Sequence, residues 1–450
     1  MKSVKEQVVG VLELESSRDA GLALLDQFLD KVPQYAAKRN YDYPGSLYVS
    51  GLSPYIRSRL IREREVIATV LREHSYETAA KFIEEVAWRT YWKGYLELHP
   101  SIWAHYREQR KQLPDTMNDL DLERWQSAIF GQTGIECFDH WVGQLRTNGW
   151  LHNHARMWFA SIWIFTLRLP WELGAAFFLE HLLDGDPASN TLSWRWVAGL
   201  HTKGKRYIAR ASNIAKYTNG EFNPEGQLNE QPNDLVPSRT HRQIPLSNVD
   251  TLTAYAFPSL SESPAGLLVC PEELTPELGP LQDSPFASFC VFNGADRMDV
   301  IQAAPGVRAF VNGAVEDCAR RTAQHWSAKV VNHSGTVSRK AGKAGSGNVG
   351  LMEDPRVHTG YVDKWVPSVV TWAQNENLKS VWMVQPPVGP WKDATANLRK
   401  ALKARNIKLF EYRNQWDSVH WPHAGAGFFK FRKGLRDRIE GLAGPDRLKA

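Results

Sequence analysis

The 450-residue chain is 43% hydrophobic and 23% charged, and its 54 basic residues nearly balance 49 acidic ones for a net charge of +5. This is an ordinary soluble composition, long enough for two or three domains that each bury a core. No apolar run approaches the ~20 residues that a bilayer span requires, and the start lacks a signal peptide's apolar core, so a cytoplasmic protein without a membrane partner is expected. Cys137, Cys270, Cys290 and Cys318 are too few and too widely spaced for a disulfide framework, and none forms a Cys-x-x-Cys pair, so no metal site is expected.

The first half reads as helices over 22–35, 60–72, 78–98, 138–148, 155–169 and 173–183, separated by loops carrying Pro, Gly and Asp. Eleven of the 18 tryptophans fall in residues 1–225, which fits an all-helical domain around a ring system, although large cores also use indoles. The densest chemistry runs from Gly149-Trp150-Leu151-His152-Asn153-His154-Ala155-Arg156-Met157 through Asp184-Gly185-Asp186 to Asn190, Trp194 and Trp196. Residues 155–169 are apolar with one charge near each end, the pattern of a helix buried on most of its circumference. Arg156 inside that run cannot be discharged and needs an anion, and the Asp184-Gly185-Asp186 turn is the nearest supplier in sequence. Pairs of this kind are often structural. Trp171, Trp194 and Trp196 bracket the acidic turn, where indoles stack on a flat ligand or relay an electron as well as fill a core. The combination points to a buried aromatic cofactor.

Residues 201–220 carry five cations (Lys203, Lys205, Arg206, Arg210, Lys216) and no carboxylate, which reads as a solvated face or, so close to the preceding motif, as a phosphate-binding rim. The Asn-, Pro-, Gln- and Ser-rich stretch 219–250 reads as a connecting segment. Beyond it, strands are expected over 266–270, 288–292, 307–311, 329–332, 380–384 and 407–411, and helices over 315–326, 361–374 and 392–405, an alternation that argues for an open, mainly parallel α/β sheet. Gly345-Ser346-Gly347-Asn348-Val349-Gly350 matches G-x-G-x-x-G but follows a basic loop instead of a strand, so it reads as a mobile loop and not as a dinucleotide fingerprint.

The stretch from Gly149 to Trp196 resembles the flavin-binding heart of the photolyase and cryptochrome family, whose pattern is Gly-Trp-Met-His-Asn, an Arg-Met pair, a Trp before the next helix, Asp-Gly-Asp, a short Ala/Ser-Asn segment and Trp-x-Trp. Three earlier blocks agree. Ser50 with Leu52-Ser53-Pro54-Tyr55-Ile56 resembles the family's phosphate-binding turn, Glu85-Val86-Ala87-Trp88-Arg89-Thr90-Tyr91 its Glu-Leu-x-Trp-Arg-Glu-Phe helix, and Thr133-Gly134, Asp139 and Leu145 its Thr-Gly-x-Pro-x-x-Asp segment, with Glu136 in place of the Pro. The resemblance spans roughly residues 20–220.

It implies the fold class α plus α/β: a helical FAD-binding domain over 1–225 that holds its flavin unaided, a linker over 226–250, and a mainly parallel, Rossmann-like, antenna-like domain over 251–450. Family members usually carry the antenna domain first, so the order here is inverted. Residues 384–391 and 420–431 resemble the far part of that domain. A second, antenna chromophore is left unassigned.

By the resemblance, FAD is held by Tyr35, Ser50, Leu52, Ser53, Phe82, Arg89, Arg156, Asp184, Gly185, Asp186 and Asn190. Ser50, Leu52, Ser53 and Tyr35 lie near the phosphates, and a helix starting after the Ser-Pro pair presents free N–H groups there; Val49 replaces a family Thr. Arg156 and Asp184 pair beside the isoalloxazine, Asp186 takes the adenosine side, and Asn190 faces N5 with an amide that does not titrate. Trp194 and Trp171 match the first two members of an electron relay. No Trp occurs between Ala104 and Arg124 to serve as the third, so Trp163, Trp158 or another aromatic ends the chain, or the relay is absent. Glu85, Trp88, Arg89, Asn153 and His154 line the lesion pocket, with Arg39, Lys203, Lys205, Arg206 and Arg210 toward DNA phosphates; His154 stands where the family commonly has Arg and gives a less reliable charge.

The activity implied is that of a deoxyribodipyrimidine photo-lyase, a carbon–carbon lyase that splits pyrimidine dimers in damaged DNA with light and reduced FAD, with Glu85, Asn153, Asn190, Trp171 and Trp194 as catalytic residues. A cryptochrome-like blue-light photoreceptor is the alternative, and a non-photochemical flavoprotein or degenerate binding module a third. Glu85, Trp88, Asn153 and Asn190 favour repair over signalling. Lesion class, strand preference and oligomeric state stay open.

Overall fold

The computed structural model describes residues 14–46, 48–202, 205–235, 239–246, 264–292, 303–326, 330–333 and 362–443. The 345–350 glycine loop and Lys203 lie outside the described residues. Helices come first: α1 (Arg18–Leu29), α2 (Val32–Lys38), α3 (Ser53–Arg57), α4 (Glu63–Glu73), α5 (Tyr76–Leu98), α6 (Ser101–Thr116), α7 (Asp119–Phe130), α8 (Glu136–Asn148), α9 (Asn153–Ser161), α10 (Trp171–His181), α11 (Pro187–Val197) and α12 (Ala211–Tyr217). Then β1 (Ala265–Val269), β2 (Ser288–Phe292), α13 (Pro305–Trp326), β3 (Val330–His333), α14 (Val362–Asn375), β4 (Ser380–Val384), α15 (Pro390–Lys403) and β5 (Lys408–Tyr412) alternate, and α16 (Gln415–His420), α17 (Phe428–Arg432) and α18 (Leu435–Ala443) close the chain.

Three sequence expectations are corrected. The helix expected over 22–35 is two, because Pro33 cannot donate within a helix and instead opens α2 in its first turn. The helix expected over 155–169 ends at Ser161 and passes into a π turn, Ile162–Thr166, after which Arg168 adopts a left-handed φ of 57°. The strand expected over 307–311 belongs to α13, whose Val307, Phe310, Ala314 and Val315 are buried at helical spacing. Residues 187–197, not assigned from sequence, are helical because Asp186 caps them, its carboxylate accepting the Ser189 N–H at 2.8 Å.

The strands form one parallel sheet in the order β3-β2-β1-β4-β5. A ligand crevice in such a sheet is expected at the carboxyl ends of β1 and β4, where the strand order reverses. Here the helices fill it. Beyond β1, Glu272 and Glu273 pair with Arg57 (2.8 Å) and Arg59 (3.1 Å); beyond β4, the Val388 N–H donates to Glu97 and Gly389 packs on Pro187.

Helix α5 is the spine of the helical body, capped by Ser75, which accepts from the Thr78 N–H. Its buried stripe also receives the C-terminal helices. The Trp416 indole donates to Thr90 at 2.9 Å, and at Gly94 a Cβ would lie 2.9 Å from the Trp421 ring, so only glycine lets the two segments meet. Described residues of the connecting stretch bond to the helices: Ile244 N–H donates to Leu98 O, Arg239 pairs with Glu108, and Asn229 bonds Phe165 and Thr166. Among the described residues no helix is long and apolar enough to cross a membrane.

Candidate functional site

A cavity of about 630 Å³ opens in the helical body, within the size range of small-molecule sites. Several pieces of chain build it. Helix α5 supplies Lys81, Phe82, Glu85, Trp88, Arg89 and Trp92 at three- and four-residue spacing, hence from one face. The turn into α3 supplies Ser50, Leu52 and Ser53; α9 supplies Asn153, His154 and Arg156; the acidic turn and α11 supply Asp184, Gly185, Asp186, Asn190 and Trp194. Tyr35 and Arg39 complete the wall. Gly149, in a left-handed turn closing α8, makes the entry to α9 tight enough that a Cβ there would meet Leu183 at 2.8 Å.

The cavity floor is charged. Asp184 accepts twice from Arg156, both contacts at 3.0 Å. Burial opposes its ionisation, but the Arg156 and Arg89 guanidiniums and the Ser53 hydroxyl hold its carboxyl below the usual range. Asp186, 1% exposed, is likewise pushed up by burial and pulled down further by Lys93, Arg89, Arg57 and Ser189. One Asp186 oxygen takes the Ser189 N–H and hydroxyl, at 2.8 and 2.6 Å; the other, Oδ1, is buried without a hydrogen bond, as is Arg89 Nη1. Asp186 Oδ1 does face Lys93 Nζ at 3.8 Å; a carboxylate and a guanidinium lining one cavity are the acceptor and donor that a ribose hydroxyl and a pyrophosphate require, so the residues present fit a dinucleotide.

Asn190 gives its amide N–H to the Ala175 carbonyl at 2.7 Å, which fixes the side chain and leaves Oδ1 as an acceptor. Trp194 is held by close packing: at Gly174 a Cβ would fall 2.3 Å from its ring. Helix α3 is five residues long and starts at Ser53, so it supplies a turn of N–H groups and little dipole. Glu85 is already paired, with Lys81 at 2.8 Å and Arg39 at 3.4 Å. His154 uses both ring nitrogens: Nδ1 donates to the Asn40 carbonyl at 3.0 Å, so Nε2 accepts from the Tyr207 hydroxyl at 3.3 Å. Burial pulls its pKa down, and this tautomer is uncharged near neutral pH.

Trp171 does not line this cavity; it is buried against Tyr106 at 5.7 Å. Lys205, Arg206 and Arg210 are also absent from its wall, and Arg206 is paired with Asp234. Sequence reasoning missed Lys93 and Arg57, the buried cations behind Asp186. Lys93 was findable: it sits one helical turn beyond Arg89 in an otherwise apolar stretch of α5.

The family model for the FAD binding domain of DNA photolyase matches residues 82–231. The chain is 30% identical over 219 residues to a deoxyribodipyrimidine photo-lyase of Synechococcus sp., covering 46% of this chain and 44% of that one. It is 33% identical over 177 residues to the one of Alkalihalophilus pseudofirmus, covering 38% and 36%. The chain thus spans less than half the length of these curated relatives. Among solved structures, a class III photolyase of Agrobacterium tumefaciens aligns with 26% identity and a TM-score of 0.39, covering 45% of this chain and 42% of that one. The matched residues include the cavity wall from α5 to α11. Over these helical residues the chain is similar to the FAD binding domain of the photolyase and cryptochrome family.

Proposed function

We propose that the chain splits pyrimidine dimers in DNA by light-driven electron donation from FAD. The observation that carries this reading is that Glu85, Trp88, Asn153 and His154 share one cavity with Asn190, Trp194 and the acidic floor. Bound and reduced, FAD would supply the electron when excited by blue or near-UV light. Tyr35, Ser50, Leu52, Ser53 and Arg89 hold its phosphates, Phe82 its rings, and Arg156, Asp184 and Asp186 its polar edges. Asn190 offers a non-titrating acceptor. The lesion enters flipped from the duplex, with Trp88 as its stacking surface, Glu85 and Asn153 as its hydrogen-bonding groups and Arg39 near its phosphates. Lys205, Arg206 and Arg210 serve as more distant phosphate contacts. The parallel sheet is the counterpart of the family's antenna domain, placed after the flavin domain, and the working compartment is the cytoplasm.

A photoreceptor reading is favoured by one set of observations: Glu85 is paired, His154 is uncharged, and one face of Trp88 is covered by Phe428. The two separate on illuminating the reduced, FAD-loaded protein with oligonucleotides carrying a cyclobutane or a (6-4) dimer and measuring restored strands against a dark control. Restoration of either lesion is expected. Failure on both, with the flavin still photoreducible, would replace repair with signalling.

A further inference from the structure

A second cavity, of about 640 Å³, is lined by Trp171 and by Asn229, Pro232, Leu235 and His241. The π turn and the left-handed Arg168 fall in the segment that lines it, from Ile164 to Leu169. Arg195 lines it. Between Trp194 and Trp196, this residue points about 100° around α11 from the indole that faces the flavin cavity.

The Arg195 side chain is the unusual element. It is 6% exposed, yet Nε is buried without a hydrogen bond and Nη2 makes only a 3.4 Å contact with the Leu200 carbonyl. Among the described residues no carboxylate lies within ion-pair distance of it. Its guanidinium carbon sits 5.7 Å from the centre of the Trp171 ring. A buried, unpaired guanidinium is strongly unfavourable unless an anion reaches it. Arg168, which is exposed, also lines the cavity and has no ion-pair partner among the described residues; Arg239 is committed to Glu108 at 2.8 Å. His241 presents a buried Nε2 without a partner, its Nδ1 being bonded to Ser101. Glu172 is the lining carboxylate, and burial pushes its pKa up, which weakens the one opposing charge. Trp171 and Phe165 give the same cavity flat apolar walls.

We propose that this cavity binds a small organic anion of nucleoside-monophosphate size, its phosphate or carboxylate on Arg195 and Arg168 and its ring along Trp171 and Phe165. The inference does not depend on repair or signalling. Guanosine monophosphate titrated by calorimetry into the full FAD-loaded chain tests it, since bound FAD blocks the first cavity. One site is expected, with guanosine failing to bind and inorganic phosphate binding more weakly. Arg195→Met should weaken binding at least tenfold with flavin content unchanged. If that variant does not fold, Arg168→Asn, which keeps a residue that tolerates the left-handed backbone, should still weaken binding severalfold. No binding at millimolar nucleotide, equal binding by guanosine, or unchanged affinity in Arg168→Asn would overturn the assignment.

Discussion

Trp88 and Phe428 lie face to face, their ring centroids 3.7 Å apart and their planes within 10°. One face of the indole proposed to carry the lesion is therefore backed by a residue from the far end of the chain. Offset ring pairs contribute about 0.5–1.5 kcal/mol beyond area burial. Phe428→Leu keeps the apolar volume but removes the flat support, so affinity for a dimer-containing oligonucleotide should fall by about 2- to 10-fold, with flavin content unchanged. Affinity for undamaged DNA should stay the same, because phosphate contacts are untouched. Equal losses for both DNAs would mean that Phe428 holds the fold and not the indole.

Arg89 lines the first cavity, and its Nη1 is buried without a hydrogen bond. A charge-assisted hydrogen bond from it to a phosphate is worth about 1.5–3 kcal/mol, so Arg89→Met should weaken FAD binding by about 10- to 100-fold. Flavin absorbance per chain after dilution and gel filtration measures this. Full retention of FAD would leave Arg89 to the DNA alone.

The expected independence of residues 1–225 meets a buried charge cluster. Arg59, 4% exposed, bonds Glu63, Glu273 and Asp417, and Arg57 and Lys93 share Glu272. Glu272, Glu273 and Asp417 would be missing from a truncation at Asn219, which keeps Glu63. Such a fragment leaves Arg57 without its carboxylate partner and Arg59 and Lys93 short of theirs, and should be insoluble or unfolded. Arg59→Met in the full chain leaves three carboxylates without their shared cation and should destabilise it by about 3–5 kcal/mol in denaturant unfolding. A folded, flavin-binding truncation would show that the cluster ties the two parts together without supporting either.

These residues also mark what the sequence concealed. The flavin wall was legible because Asp184, Asp186, Asn190 and Trp194 sit on one short turn and helix, so their spacing is preserved in space. The strands at 288–292 and 380–384 were legible as short β-branched and aromatic runs bounded by breakers. The partner of Trp88 lies 340 positions away in sequence (428 minus 88), and no local periodicity encodes such a contact. Lys205, Arg206 and Arg210 lie outside the cavity lining, and a run of like charges in the sequence gives a composition, not a direction.

Asp42 supplies a pH test. Burial, with Glu221 adding to it, raises its carboxyl to about 7. A raised carboxyl pKa favours the folded state fully below the unfolded value of about 4, and that contribution is lost as pH rises from there through about 7. Asp42→Asn removes the ionisable group and should raise unfolding stability at pH 8 by about 2–4 kcal/mol relative to wild type, with little difference at pH 4. The same gain at both pH values would place the effect in packing or in a hydrogen bond instead of ionisation.

Two aromatic paths lead away from the cavity. Trp194 meets Trp163 at 6.1 Å, but Trp163 is fully buried, donates its N–H to the Pro170 carbonyl, and continues only into Phe138, Phe159 and Phe177. The other path uses Trp171, one turn before the Gly174 that packs on Trp194; Trp171 lies 5.7 Å from Tyr106, which lies 5.4 Å from Trp103. Trp103 falls one residue before the stretch in which a third tryptophan was sought. Its indole N–H donates to Asp393 at 2.9 Å, and that carboxylate is 39% exposed, so an oxidised Trp103 has an acceptor for its proton and a way to solvent. Tyr106 has no such acceptor, its buried hydroxyl being unbonded. Photoreduction of bound oxidised FAD should therefore slow by orders of magnitude in Trp194→Phe and strongly in Trp171→Phe and Trp103→Phe, while Trp163→Phe leaves it nearly unchanged. Transient absorption separates the outcomes, because a tryptophan radical that persists in wild type should vanish in Trp103→Phe. Slowing in Trp163→Phe with normal rates in the Trp171 and Trp103 variants would move the relay to the buried branch.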